Sequence, residues 1–341
     1  MREEILFILS ELKGNSRASL SPEKIERLLD PHTTLRLRIH ARPYSLYIAD
    51  GQKTIHLFST TREELVPLMQ RLKSAKQEYN TYIMFQTLYG LLYRKHPEQF
   101  KKLKEKFPEM VKTAMETEII PWEDEYAIGD KNPEVIEELR FWEELYRNGM
   151  VDEKECRRRI DETLRKAGYA SRTEGIAFIE EKKVSFRSKV PPFWVVLHEL
   201  GHVHYQIPDS IWNATYGGAE ILVHLSLEDR YDIREENVRQ FIWLKKLSYK
   251  DPKEFERIVI ERLRKVFPDT QPSILSFMLL AGTIPPTRED LHILDHRDPK
   301  LTQIETTPEV VQSFMVNLVE GLRWGDPFYR RYAEVLGMVE V

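Results

Sequence analysis

Prolines at 191, 192 and 208 bracket the stretch Phe193 to Ile207, in which Phe193, Trp194, Val195, Val196, Leu197, Leu200 and Val203 are apolar. Proline suits the first turn of a helix, where its missing N–H has no intrahelical partner, and it stops a helix arriving from upstream. The stretch is therefore expected to be one helix, apolar enough to require burial. It also contains His198-Glu199-Leu200-Gly201-His202, so the covering elements must leave room for titratable side chains that need partners inside.

Helical periodicity assigns those side chains their roles. Residues four apart lie about 40° apart around the axis, so His198 and His202 project together, one turn apart, and can bind a single tetrahedral ion. Glu199 points about 100° away from His198, too far round for an easy metal bond but within reach of a water on the ion. His204 lies about 200° round from His202 and is expected to pack or hydrogen-bond, not to ligate. The ion expected from this donor set is zinc, one per chain.

A catalytic zinc usually has three protein ligands and a water, so a further ligand is expected downstream. The continuation H-E-x-x-H-x-x-G-x-x-H is ruled out, because Tyr205 and Pro208 stand where Gly and His would be needed. The run Tyr216 to Asp229 starts a helical pattern after two glycines, and Glu220 in it is the preferred third ligand. His224, four residues on, shares its face and is expected to orient a carboxylate or bind substrate. Glu228 is the rival, followed by Asp229 and Arg230 in what reads as a solvated helix end.

On these residues the chain resembles the gluzincin metallopeptidases, the group that includes thermolysin. The tail His202-Val-His-Tyr205-Gln206 is similar to the branch of carboxypeptidase Taq, thimet oligopeptidase and angiotensin-converting enzyme, and H-E-L-G-H is also similar to the compact repressor-cleaving peptidases of mobile elements. The resemblance covers residues 191 to about 230. It implies a zincin-like catalytic domain, zinc held by His198, His202 and a helical glutamate, Glu199 as general base, and a peptide or protein substrate. Arg323 to Tyr332 faintly resembles the aromatic region that supplies transition-state hydroxyls in that branch; Tyr329, Tyr332, His292 and His296 are the candidates for oxyanion help. The same residues also fit a non-catalytic, zinc-stabilised peptide-binding or regulatory protein, or a zinc hydrolase of non-peptide amides.

Whole-chain properties bound these readings. A balance of 51 Lys plus Arg against 55 Asp plus Glu leaves a net charge of −4, so no global field favours nucleic acid. Cys156 is the one cysteine, which excludes an intramolecular disulfide or a cysteine zinc cage and suits a reducing, cytoplasmic setting. No secretory signal is read at the N-terminus, and the apolar run Ile274 to Ile284 is too short to span a bilayer. Charged residues make up 31% of the chain while Asn and Gln together number 17, a bias found in proteins of hot environments.

The expected fold is α+β and mainly helical. Residues 1–120 read as an N-terminal mixed lobe: a helix over 2–13, a second opened by Ser21-Pro22-Glu23, a hairpin of Tyr44–Ala49 and Lys53–Ser59 around Asp50-Gly51, and a helical run from a Thr60–Glu63 capping box with breaks near Pro67, Pro97 and Pro108. Residues 121–341 read as the zincin-like domain, opening on an acidic connection over 121–130 and two helices, with a C-terminal helical lobe after residue 230. Just before the motif helix, Ile176, Phe178, Val184 and Phe186 flank Glu180 to Lys183 as strand, turn and strand. Such a strand offers an edge to which an extended peptide can add.

Overall fold

The hairpin at Asp50-Gly51 forms as its residues require. In the computed structural model Gly51 has φ +56°, a conformation that suits glycine at a tight turn, and strands β2 (Tyr44–Asp50) and β3 (Lys53–Thr60) pair from Asp50↔Lys53 outward. The residues described are 1–14, 20–38, 44–122, 133–167, 174–207, 209–266, 315 and 318–340. Within them the fold is α+β and mainly helical, with two three-stranded sheets, and the chain divides into two units, Met1–Arg94 and Lys95–Val341.

The first unit holds α1 (Arg2–Gly14), α2 (Pro22–Leu29), the antiparallel sheet β1-β2-β3 with β1 at Thr34–Arg38, α3 (Arg62–Gln86) and most of α4 (Leu88–Lys95). Ser21 caps α2 by accepting from the Lys24 N–H. The expected Thr60–Glu63 capping box does not form: Thr61 is the N-cap and the Thr60 hydroxyl donates to Glu64 at 2.6 Å. Nor does Pro67 break the chain, since α3 runs through it to Gln86.

The second unit contains α5 (Pro97–Lys106), α6 (Pro108–Glu116), β4 (Glu118–Ile120), α7 (Pro133–Arg147), α8 (Glu153–Ala167), β5 (Gly175–Phe178), β6 (Lys183–Phe186), α9 (Phe193–Tyr205), α10 (Asp209–Leu227), α11 (Glu235–Lys250), α12 (Pro252–Val266), helix over 318–324, and α13 (Pro327–Leu336). Its sheet order is β4-β6-β5. β4 and β6 are parallel, a pairing that needs a long crossover, and α7 and α8 lie in that crossover. The expected boundary at 120/121 therefore moves to 94/95: β4 pairs with β6, and α6 packs on α9, so residues 95–120 belong with the motif helix. The acidic stretch 123–130 and the expected helix Ile274 to Leu280 lie outside the described residues, as does most of the expected helix Pro308 to Leu322.

The motif helix is covered as its composition demands. α9 packs on β5, β6, α6 and α10, burying Val195, Val196, Leu197, Leu200 and Val203. α10 departs from expectation in beginning at Asp209, with the two glycines inside it. The reason is a close helix crossing: a Cβ on Gly218 would stand 2.4 Å from the Phe241 ring of α11. Among the described residues no helix is long and apolar enough to cross a membrane.

Candidate metal centre

α9 begins directly after Pro192, whose carbonyl accepts from the Val195 and Val196 N–H groups. His96 pins this end, its Nε2 3.0 Å from the Pro191 carbonyl and its ring edge-on to Phe193. At the other end Gln206 takes the left-handed conformation, φ 57° and ψ 46°. That turn swings the Ile207 carbonyl back onto Nδ1 of His202, 2.5 Å away. One motif histidine thus has its Nδ1 engaged by the backbone.

His198 is oriented by a carboxylate. Its Nδ1 lies 2.9 Å from Oε2 of Glu220 on α10, and the other oxygen of Glu220 is 3.7 Å from Nε2 of His224. Burial pushes the Glu220 carboxyl up, but the hydrogen bonds and charges of His198 and His224 outweigh it and hold the group down at about 2.

The two Nε2 atoms of His198 and His202 face each other at 3.1 Å. A carbonyl and a carboxylate only accept, so both Nδ1 atoms carry protons, and in neutral rings both Nε2 atoms are lone-pair acceptors. Two acceptors at this distance suit a shared electrophile, a proton or a metal ion. Two nitrogens on one tetrahedral zinc would lie about 3.3 Å apart. The pair therefore fits the ion in spacing and protonation.

Glu199 is only 6% exposed and lies against the first residue of β5. A Cβ on Gly175 would stand 2.8 Å from Oε1 and 2.9 Å from Cγ of Glu199, so the carboxylate occupies the space that a side chain at 175 would take. Gly175 is a contributor that the motif does not announce, though a lone glycine opening a strand signals close approach. The Ile207 carbonyl and His96 were likewise not anticipated, and the carbonyl carries no side-chain signal.

The remaining candidates are placed elsewhere. Glu228 follows the end of α10, exposed and 3.9 Å from Arg230. His204 is turned away into a buried cluster, Nδ1 2.8 Å from the Thr113 hydroxyl and Nε2 2.7 Å from Glu235, which also pairs with Arg239 at 2.8 Å. Tyr329 and Tyr332 are buried in the packing of α13, where the Tyr329 ring lies against Gly321. His292 and His296 lie outside the described residues. Among the described residues no group of three metal-ligating side chains could hold an ion; the convergence is of two histidines, with the Glu220 carboxylate on the outer nitrogen of one.

No protein-family model matches the chain, and no curated protein or solved structure matches it.

Proposed function

We propose that this chain is a zinc-dependent peptidase of the gluzincin type, with a zincin-like second unit. The observation that carries the reading is the pair of Nε2 atoms 3.1 Å apart, each on a ring whose Nδ1 is already engaged. His198 and His202 would hold the zinc. Glu220, expected as the third ligand, lies instead on Nδ1 of His198, where it would fix the tautomer of that ring and raise its basicity as a ligand, in the manner of carboxylate–histidine–zinc arrangements. A zinc ion bound there would lower the pKa of a water to about 7 and polarise the carbonyl under attack.

The chain's own residues supply the rest of the chemistry. Glu199, held against Gly175 on the side of α9 that faces β5, takes a proton from the attacking water and passes it to the leaving amine. β5 pairs with β6 on one side and, among the described residues, is an edge strand on the other. An extended peptide added to that edge would lie beside Glu199, its main chain satisfied by the strand. The single buried cysteine, Cys156, suits a cytoplasmic setting.

Metal analysis after remetallation tests the centre, with about one zinc per chain expected; a chain that binds none refutes it. Glu199→Gln tests the chemistry. It should keep zinc and lose peptide hydrolysis, and retained turnover would remove Glu199 from its role.

A further inference from the structure

We infer that the outer face of the β1-β2-β3 sheet binds a single-stranded polynucleotide, with Arg36 and Lys24 on its phosphates and the Tyr47 and His56 rings against its bases. This surface belongs to the first unit and the candidate metal centre to the second, so neither reading depends on the other.

The register sets one row of side chains across the sheet. Arg36 of β1 stands opposite Tyr47 of β2, and Tyr47 opposite His56 of β3; directly paired residues project from the same face. Leu46 and Ile48, which flank Tyr47, and Phe58 are fully buried, so the core lies behind the other face and this row looks outward. Arg36 is exposed, and Tyr47, His56 and Ser59 are half-buried. Strands about 4.8 Å apart make the row about 10 Å long, the length of about three nucleotides at roughly 3.4 Å each.

The rings in this row are held in place. Those of Tyr47 and His56 meet edge to face, centroids 5.2 Å apart and planes at 73°. Nε2 of His56 lies 2.8 Å from the Ser59 hydroxyl, which is itself 2.8 Å from that of Ser45. Burial, helped by the charge of Lys24 on α2, holds the His56 imidazole below its ordinary value, so at pH 7 the ring is neutral and the positive charge comes from Lys24 and Arg36. An ordered ring loses little freedom when a base covers it, and every base has a π-face to offer.

Charge selects a polyanion. Met1–Arg94 carries 14 Lys plus Arg against 10 Asp plus Glu, a net +4, whereas Lys95–Val341 carries 37 against 45, a net −8. The near-neutral total conceals a basic first unit. From Thr34 to Thr60 the chain has Arg36, Arg38, Arg42 and Lys53 against Asp50 alone. An acidic peptide would feel the same charge but has no flat bases for the rings, and a membrane surface calls for exposed aliphatic groups, whereas Leu46, Ile48 and Leu57 are buried. In a duplex the base faces are already stacked, so a single strand is the form that fits.

The test is fluorescence anisotropy of end-labelled oligothymidylate and oligouridylate, each about 20 nucleotides long, titrated with the full chain at about 50 and 200 mM salt. At least one should bind, more weakly as salt rises; preference for the uridylate identifies the ligand as RNA, and preference for the thymidylate as DNA. Tyr47→Ala should weaken binding at least about fivefold, the low end for one lost base stack, while Tyr47→Phe should stay within about twofold. Arg36→Gln, at an exposed position, should reduce the slope of log K against log salt by about 0.7, one phosphate contact on a single strand; it carries the test if Tyr47→Ala does not fold. Arg71→Gln, on α3 and paired with Glu11, should leave the slope unchanged. No binding of either strand, equal or tighter binding of a matched duplex, of polyglutamate or of anionic phospholipid vesicles, unchanged affinity in folded Tyr47→Ala, or a slope that Arg36→Gln changes no more than Arg71→Gln overturns the proposal.

Discussion

On the proposed peptidase reading, Gly175→Ala should impair peptide hydrolysis while sparing the fold and zinc binding. The added Cβ would stand 2.8, 2.9 and 3.1 Å from Oε1, Cγ and Cδ of Glu199. Ordinary non-bonded contact is about 3.5–4.0 Å, so the glutamate must retreat by roughly 0.5–1 Å. It can do so, because what the methyl meets is a side chain and not backbone, and Gly175 lies outside the positive-φ region where alanine would be strained. Stability should change by no more than about 1 kcal/mol, since crowding opposes the roughly 0.4–1 kcal/mol that alanine gains over glycine through the unfolded chain. A catalytic group misplaced by 1 Å costs on the order of 100-fold, so kcat/KM on a peptide substrate should fall about 10- to 100-fold with zinc content unchanged. Glu199→Ala removes all three atoms that the methyl meets; in that background Gly175→Ala should change the residual kcat/KM by under about threefold, a coupling expected of residues in contact. A Gly175→Ala protein with native zinc and kcat/KM within twofold of the parent would refute the positioning argument.

Zinc affinity should separate the two candidate glutamates: Glu220→Ala should weaken it by at least about 10- to 100-fold, whereas Glu228→Ala, at an exposed site beside Arg230, should leave it unchanged in a competitive chelator titration. Glu235→Ala strips the buried His204 and Tyr205 of a shared partner and should destabilise the protein by about 2–4 kcal/mol, read by chemical denaturation. Lys76, buried with its Nζ on the carbonyls of Leu28 and Asp30, gives a pH signature. Burial lowers it to about 8 from 10.5 despite the opposing charge of Asp30, so between those values the unfolded chain binds more protons and stability rises with pH. Relative to Lys76→Met, the native protein should gain up to about 3 kcal/mol from pH 7.5 to 10.5; a flat difference would contradict it.

Several parts of this arrangement are legible along the chain because their causes are local. The Asp50-Gly51 turn, the β5–β6 hairpin, the cap at Ser21 and the extent of α9 between its prolines all follow from neighbouring residues. Legibility ends where causes become distant. Gly217 and Gly218 read as a helix start, yet α10 runs through them because Phe241 of another helix needs the space at 218. Residues 95–120 read as part of the first lobe because nothing near β4 reveals its parallel partner β6, more than sixty residues on.

The sequence by itself determined that one buried helix carries two histidines and a glutamate at the spacing of a metal site, because the 3.6-residue period settles which side chains share a face. Only the tertiary structure decided how each is held: His202 by the Ile207 carbonyl, His198 by Glu220, Glu199 by the empty space at Gly175. The physical reason is one of range. Helical spacing is a property of adjacent residues, whereas tautomer, orientation and clearance depend on groups that only packing brings within 3 Å.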